Sequence, residues 1–342
     1  MKKIFLSVLF VLCSVLIYAW NSPIPVPDLS SARLRVVAQN AANYIHNFEA
    51  SNAKNINTQE AFDTKTNKIA NAFLALQADI VAICEVEEND EILGYIVDAM
   101  NNIYGQQVYT YLTDGLYEHA SAGSYQALKS GFIYRHDKVT PQGSMSSPYY
   151  SGEYNHRMRI QAFKEKSTSE VFVLSMNHFK AKTGDYETTQ RQNANNLISK
   201  LNWVTTDPDI LVMGDLNAYM GEEPINLLEN AGYEEQLVRF DPNAYTYDYY
   251  GDLGILDHCM ANASMAKQIT GAYAYHINTA GYSSYKYSDH DAVVVGLRLG
   301  EDVSEGFVVT PTESAARKIL YNGQLYIELD GQYFNIMGTK IQ

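Results

Sequence analysis

From Arg33 onward, short apolar runs alternate with polar stretches. "RLRVVAQN", "ADIVAICEVE", "SGFIYR", "VFVLSMNHF", "DILVMGDLN", "GILDHCMAN" and "HDAVVVGLRL" are rich in β-branched residues and too short for helices, so they predict buried strands. "IANAFLALQ" places Ile69, Phe73 and Leu76 at helical spacing. "EILGYIVDAMNNIY" and "TQRQNANNLISKLNW" predict two further helices. Strands outnumber helices, and many strands end in polar residues. The expectation is an α+β sandwich, two packed sheets with helices outside.

Residues 301–316 read as a linker of Gly, Pro, Ser and Thr, which bounds a main domain at 31–300. The tail, 317–342, carries Asn322-Gly323 and Asp330-Gly331 between alternating apolar residues. These are hairpin dipeptides and predict a three-stranded β meander. At the other end, Lys2 and Lys3 precede an apolar stretch from Ile4 to Ile17, and small-residue cleavage after Ala19 predicts a signal peptide over 1–19. The stretch is short for a membrane span. A secreted, cell-surface or periplasmic destination follows, with no stable membrane span. Cys84 and Cys259 then remain, both in apolar strand-like runs; buried free thiols rank ahead of a disulfide.

Composition narrows the chemistry. The chain has 342 residues, 46% hydrophobic and 19% charged, enough to bury a large core. Its net charge of −14 argues against non-specific coating of nucleic acid, which runs on Lys and Arg neutralising phosphates. A local basic track remains compatible with that total.

The polar strand ends carry the chemistry. Asn40 closes the first run, and Glu85, Asn177 with His178, Asp215 with Asn217, Asp257 with His258, and Asp289 with His290 mark five others. One such residue is usually a turn or cap. Six sets of Asp, Glu, Asn and His predict convergence at one edge of the sandwich. Phosphate-ester hydrolysis wants this set. Mg²⁺ takes carboxylate and amide oxygens, a carboxylate-held His serves as acid or base, and amide and imidazole donors stabilise phosphoryl charge. Cys–His zinc spacing, a Gly-rich phosphate loop and a G-x-S-x-G elbow are absent from the sequence.

The stretches "VVAQNAANY", "LQADIVAICEVEEND", "LKSGFIYR", "MNHFKAK", "RQNANNL", "ILVMGDLNAYMGEEPI", "YTYDYYGDLGILDHCMAN" and "YSDHDAVVVGL" follow one another over residues 33–299. In them the chain resembles the endonuclease/exonuclease/phosphatase superfamily, the group of pancreatic-type deoxyribonuclease and exonuclease-III-like enzymes, and among these the secreted bacterial nucleases. The resemblance implies a four-layered α/β/β/α sandwich of two mixed sheets and a catalytic domain over 31–300. It implies Mg²⁺ (or Mn²⁺ or Ca²⁺) held by Glu85, with Asn40 beside it and Asp289 in support. Asp215 would orient or deprotonate the attacking water, held by Asn217. His178 would donate to a phosphoryl oxygen or protonate the leaving group. His290, oriented by Asp257, would polarise the phosphate or act as base; the base is open between Asp215 and His290. Asp291 caps or pairs nearby, and Glu87 and Glu88 read as a solvated acidic loop.

Many relatives have R-P-P-L where this chain has "HRMRI". Arg157 matches the phosphate-binding Arg, but Met158 and Arg159 replace the prolines. His46, His119, His136, His156, His258 and His276 have no motif partner. The tyrosines of "YTYDYY" and "YSSYKY" read first as packing residues and second as base-stacking ones. The tail resembles the C-terminal sorting tails of Bacteroidetes type IX export cargo, implying contact with export machinery. The leading expectation is a secreted Mg²⁺-dependent phosphodiesterase that hydrolyses nucleic acid, DNA first, by in-line attack of an activated water. The alternatives are a phosphodiesterase of the same fold acting on a lipid or small phosphoester such as sphingomyelin, and a non-catalytic binding module.

Overall fold

The computed structural model describes residues 22–115, 124–150, 157–204, 207–303 and most of 317–341. The expected signal peptide, the linker from 304 on, His119, His156 and the two tail turn dipeptides lie outside the described residues. The chain divides into two compact units, Met1–Asp302 and Val303–Gln342.

In chain order the first unit runs β1 (Leu34–Tyr44), α1 (Gln59–Ala75), β2 (Ile80–Glu87), α2 (Ile92–Tyr104), β3 (Tyr109–Leu112), β4 (Leu128–Arg135), β5 (Val139–Ser146), β6 (Arg159–Glu165) and β7 (Val171–His178). It continues with α3 (Tyr186–Val204), β8 (Ile210–Asp215), α4 (Glu223–Asn230), β9 (Tyr233–Glu235), α5 (Gln236–Phe240) and the hairpin β10 (Tyr247–Tyr249) and β11 (Asp252–Gly254). It closes with β12 (Asp257–Asn262), α6 (Ala263–Ala266), β13 (Ile269–Tyr275) and β14 (Ala292–Leu297). Two six-stranded mixed sheets result, ordered β13-β14-β1-β2-β4-β3 and β5-β6-β7-β8-β12-β9.

Period-two alternation decides the layers. In β1, Val36 and Ala38 face one core while Val37 and Ala41 face another. The first core interleaves β1, β2 and β14 with β7, β8 and β12, so the sheets pack face to face. Phe62, Ile69 and Phe73 of α1 and Ile96 and Met100 of α2 cover the outer face of the first sheet. Ala194, Leu197 and Leu201 of α3, with Ile225 and Leu228 of α4, cover the second. This is the four-layered α/β/β/α sandwich. Cys84 and Cys259 are both buried and unpaired in its central core.

Each sheet has one central parallel pair, β1–β2 and β7–β8, flanked by antiparallel strands. The C-terminal ends of the parallel strands therefore meet the starts of β12 and β14 at one edge. Besides the short hairpin β10–β11, the sequence pattern missed β3, β5, β6, β9 and β13, whose apolar positions are fewer or interrupted.

The second unit has four strands where three were expected: β15 (Arg317–Tyr321), β16 (Gln324–Leu329), β17 (Gln332–Asn335) and β18 (Lys340–Ile341), in sequential antiparallel order. The fourth is two residues long, too short to show alternation, and pairs with Tyr333 and Phe334.

Candidate active site

Strand register assembles the second sheet's half of the site. His178 ends β7 opposite Asp215, which ends β8 opposite Asp257, the first residue of β12. Three polar residues on adjacent strands at the same register project from one face. Gly214 makes this turn feasible. Its φ is +126°, and a Cβ there would sit 2.1 Å from the Asn177 carbonyl oxygen. This explains the glycine in "GDLN". Asn217, at φ 50°, folds back on Asp215: its backbone N–H donates to Oδ1 at 2.8 Å and its Nδ2 to Oδ2 at 3.2 Å.

The first sheet supplies its half through irregular strand ends. Past Asn40, β1 spends four residues where β2 spends two, and β2 carries one extra residue opposite β4 between Ile83 and Val86. These bulges re-aim side chains. Ala42, Asn43 and Glu85 all take positive φ near 50°, strain that non-glycine residues hold only when their surroundings demand it. Glu85 is thereby turned into the site. Its Oε1 accepts from Asn40 Nδ2 at 3.0 Å and its Oε2 from the Asn43 N–H at 3.0 Å.

Asn40 bridges the halves, since Nδ2 also donates to Asp215 Oδ2 at 2.9 Å. Its Oδ1 accepts from the Ala42 N–H, so the amide faces both carboxylates with nitrogen. His178 Nε2 lies 3.8 Å from Glu85 Oε1 and 3.8 Å from Asp215 Oδ2.

His290 is buried beside them. Its Nδ1 meets Asp257 Oδ2 at 2.7 Å, and its Nε2 points to Asp215 Oδ2, 3.9 Å away. Burial alone would lower its pKa, but the Asp257 and Asp215 charges, the Asp257 hydrogen bond and Asp289 outweigh it and push His290 up to about 10. Burial raises Asp257, against the pull of His290. With two carboxylates facing the ring, we read the pair as imidazolium and carboxylate.

The loop carrying "SDHD" is fastened from behind. Asp291 Oδ1 accepts from the N–H groups of Asn278 and Thr279, and Oδ2 from His276 Nδ1 at 2.9 Å. Asn278 in turn donates to the His290 carbonyl and accepts from Tyr287 N–H. Ser288 Oγ donates to the Asn40 carbonyl, tying this loop to β1. Asp291 is thus the loop's anchor, and His276, set aside on sequence, is its partner.

Three other histidine and acid readings change. His258 is fully buried, with Nδ1 2.8 Å from Glu235 Oε2 and Nε2 2.8 Å from the Ala218 carbonyl, a structural ion pair behind the site. Glu88 is buried, and Glu87 accepts from the His46 and Asn47 N–H groups, so neither belongs to a free acidic loop. The loop needs an acceptor there because its backbone donors face no strand.

Asp289 borders the cluster. Its Oδ1 is buried and has no hydrogen-bond partner among the described residues, while Lys54 Nζ lies 3.5 Å from Oδ2 and 3.9 Å from Glu85 Oε2. A bare buried carboxylate oxygen suits a hard divalent cation, and Lys54 links Asp289 to Glu85. The carboxylate and imidazole atoms of Glu85, His178 and Asp215 also lie within 4.8 Å of one another.

Arg157 donates Nη1 to the Ser147 carbonyl at 2.8 Å and stacks 3.5 Å over the Tyr149 ring. Met158 is buried in the outer core of the second sheet and Arg159 pairs with Asp114, so the segment replacing the prolines is packed against the body.

Sequence reading missed Lys54, Lys65 and the β10–β11 hairpin. Lys65 Nζ donates to the Ala42 carbonyl; burial lowers it to about 7, although Glu85 and Asp289 pull the other way. Tyr247 of the hairpin packs on His290 at 4.7 Å between ring centroids, and Tyr249, Tyr250 and Leu253 are exposed at its tip. The tyrosine-rich run was visible in sequence, but its outward tip was not.

Residues 52–290 match the model of the Endonuclease/Exonuclease/phosphatase family. The fold is similar to an endonuclease/exonuclease/phosphatase from Bacteroides vulgatus (14% identity, TM-score 0.59, covering 78% of this chain and 98% of that one). It is similar to a mannosyl-6-phosphatase of Bacteroides thetaiotaomicron (16%, 0.58, 78% and 100%). It is also similar to the catalytic domain of human nocturnin with bound sulfate (17%, 0.57, 81% and 97%). No curated protein matches the sequence.

Proposed function

Because the chain belongs to the endonuclease/exonuclease/phosphatase family, we propose that it is a divalent-metal-dependent phosphodiesterase of nucleic acid, DNA first, acting outside the cytoplasm. The supporting observation is the convergence of Asn40, Glu85, His178, Asp215, Asp257 and His290 in one buried cluster from two sheets. A binding module would have no use for so costly a collection of desolvated charge. Among the described residues no helix is long and apolar enough to cross a membrane.

Glu85 and Asp289 would hold Mg²⁺, with the Asn40 amide keeping Glu85 in place. When bound, the ion would neutralise phosphoryl charge. Asp215, held by Asn217, accepts the proton of the attacking water as its oxygen bonds to phosphorus. His290, charged and oriented by Asp257, donates through Nε2 to a non-bridging phosphoryl oxygen. As the P–O bond to the leaving group breaks, His178 supplies the proton to the departing oxygen. The gain is positioning and preorganised charge.

Incubating purified protein with supercoiled plasmid, RNA, sphingomyelin and bis(p-nitrophenyl) phosphate, with Mg²⁺ or with excess chelator, tests this. Plasmid cleavage that stops on chelation is expected. Full activity in chelator, or none on any substrate with Mg²⁺, would overturn it. The hairpin tip supports a second reading. The hairpin whose Tyr247 packs on His290 exposes Tyr249, Tyr250 and Leu253, a surface that suits a lipid phosphodiester as well as a stacked base; sphingomyelin turnover without plasmid cleavage would select it.

A further inference from the structure

A cavity of about 580 Å³ opens beside Asp289, and four lysines line it. Its wall is one face of α1. Ala61, Thr64, Lys65 and Lys68 follow helical spacing, while Phe62, Ile69 and Phe73 turn into the core. Loop residue Lys54 and Lys286, three residues before Asp289, complete the lysines; Glu60 and Asp289 are the only acids in the lining. In a chain of net charge −14 this is a local reversal of sign.

The lysines are not used up by ion pairs. Among the described residues, only Lys54 has carboxylates within ion-pair distance, those of Asp289 and Glu85. Lys65 donates to one carbonyl, and Lys68 to the carbonyls of Ser283 and Lys286 at 3.1 and 3.2 Å. An ammonium has three donors, so each keeps at least one. Among the described residues the Lys286 ammonium makes no hydrogen bond or ion pair. Carbonyls fix the positions of Lys65 and Lys68 without pairing either with a carboxylate, which leaves the cavity open to an anion.

Resting on the phosphoesterase reading above, we propose that this cavity is a subsite for a second phosphate group of the substrate, adjacent to the one hydrolysed. That group is either the next backbone phosphate of a nucleic acid or a second phosphate on a small molecule. The shared edge at Asp289 makes the two phosphates neighbours, so the protein would prefer substrates carrying both.

The test compares kcat/KM for TpT, pTpT and TpTp, and separately for a hexose 6-phosphate and a hexose 1,6-bisphosphate. We expect one member with the additional phosphate to exceed its parent by roughly tenfold, the scale of one charge-assisted contact. The winning series identifies the source. Lys286→Gln, which breaks no hydrogen bond or ion pair among the described residues, and Lys68→Gln/Lys286→Gln should shrink that ratio stepwise, chiefly through KM. Equal values within both series, or a ratio untouched by both variants, would overturn the subsite. If no substrate is turned over with any metal, the phosphoesterase reading fails by itself. The subsite is then decided by binding of an octathymidylate in chelator. The slope of log K against log salt should drop by about 0.7 for each lysine removed. An unchanged slope, or no binding by the wild-type protein, would overturn it.

Discussion

Replacing Asp257 by Asn removes one charge from a buried pair and leaves its shape. In the structure Asp257 Oδ2 sits 2.7 Å from His290 Nδ1, and both side chains are almost wholly inaccessible. A hydrogen bond of this charged kind contributes ~1.5–3 kcal/mol, and ~1.4 kcal/mol is a factor of ten in rate. Asp257→Asn should therefore cost ~10–100-fold in kcat. His290→Ala removes the group proposed to touch the substrate phosphate and should cost ~10²–10⁴-fold. If Asp257 acts through His290, the double variant should be no worse than His290→Ala. The assay is steady-state hydrolysis of a chromogenic phosphodiester by all four proteins. The pH profile supplies a second readout. His290 is held up to about 10 against its own burial, chiefly by Asp257. A raised pKa keeps the charged form populated below it, so wild-type activity should persist to alkaline pH. In Asp257→Asn that alkaline limb should move toward neutrality. Additive losses, or identical alkaline limbs, would refute the partnership.

Other consequences are equally direct. Gly214→Ala places a methyl carbon on the Asn177 carbonyl at a strained φ, and should cost at least ~3 kcal/mol in urea unfolding. His258 has a folded-state pKa above its ordinary 6.5: burial opposes this, but the Glu235 contact and charge prevail. Its stabilisation is complete below about pH 6.5 and is lost as pH rises through the raised value. The stability gap between wild type and His258→Gln should therefore narrow from pH 6.5 upward; a constant gap to pH 10 would contradict the ion pair. Removing residues 311–342, in the second compact unit, should leave catalysis and the unfolding midpoint of Met1–Asp302 unchanged in matched assays. Cys84 and Cys259, buried thiols whose pKa burial raises, should resist a thiol reagent until the protein is unfolded.

Sequence alone determined the layered class and the identity of the polar strand ends. Both follow from local causes. Period-two and helical periodicities mark which positions must be buried, and Asp, Glu, Asn and His cannot sit at the mouth of a core strand without partners. Asp215, Asn217, Asp257 and His290 were legible for that reason. The weakly alternating strands β5, β6 and β9 were not, because their neighbours rather than their composition hold them in the sheet. Tertiary structure alone decided the pairings that no motif announced. His258 finds Glu235 and His276 finds Asp291 across the sheet and loop, at separations of 23 and 15 residues. Glu85 reaches the site through bulges that no periodicity announces. Lys54, Lys65, Lys68 and Lys286 are scattered over the chain, with no motif to join them. Packing α1 beside the loop before Asp289 brings them to one cavity, because helix position is set by its apolar face and the opposite side chains go where that face sends them.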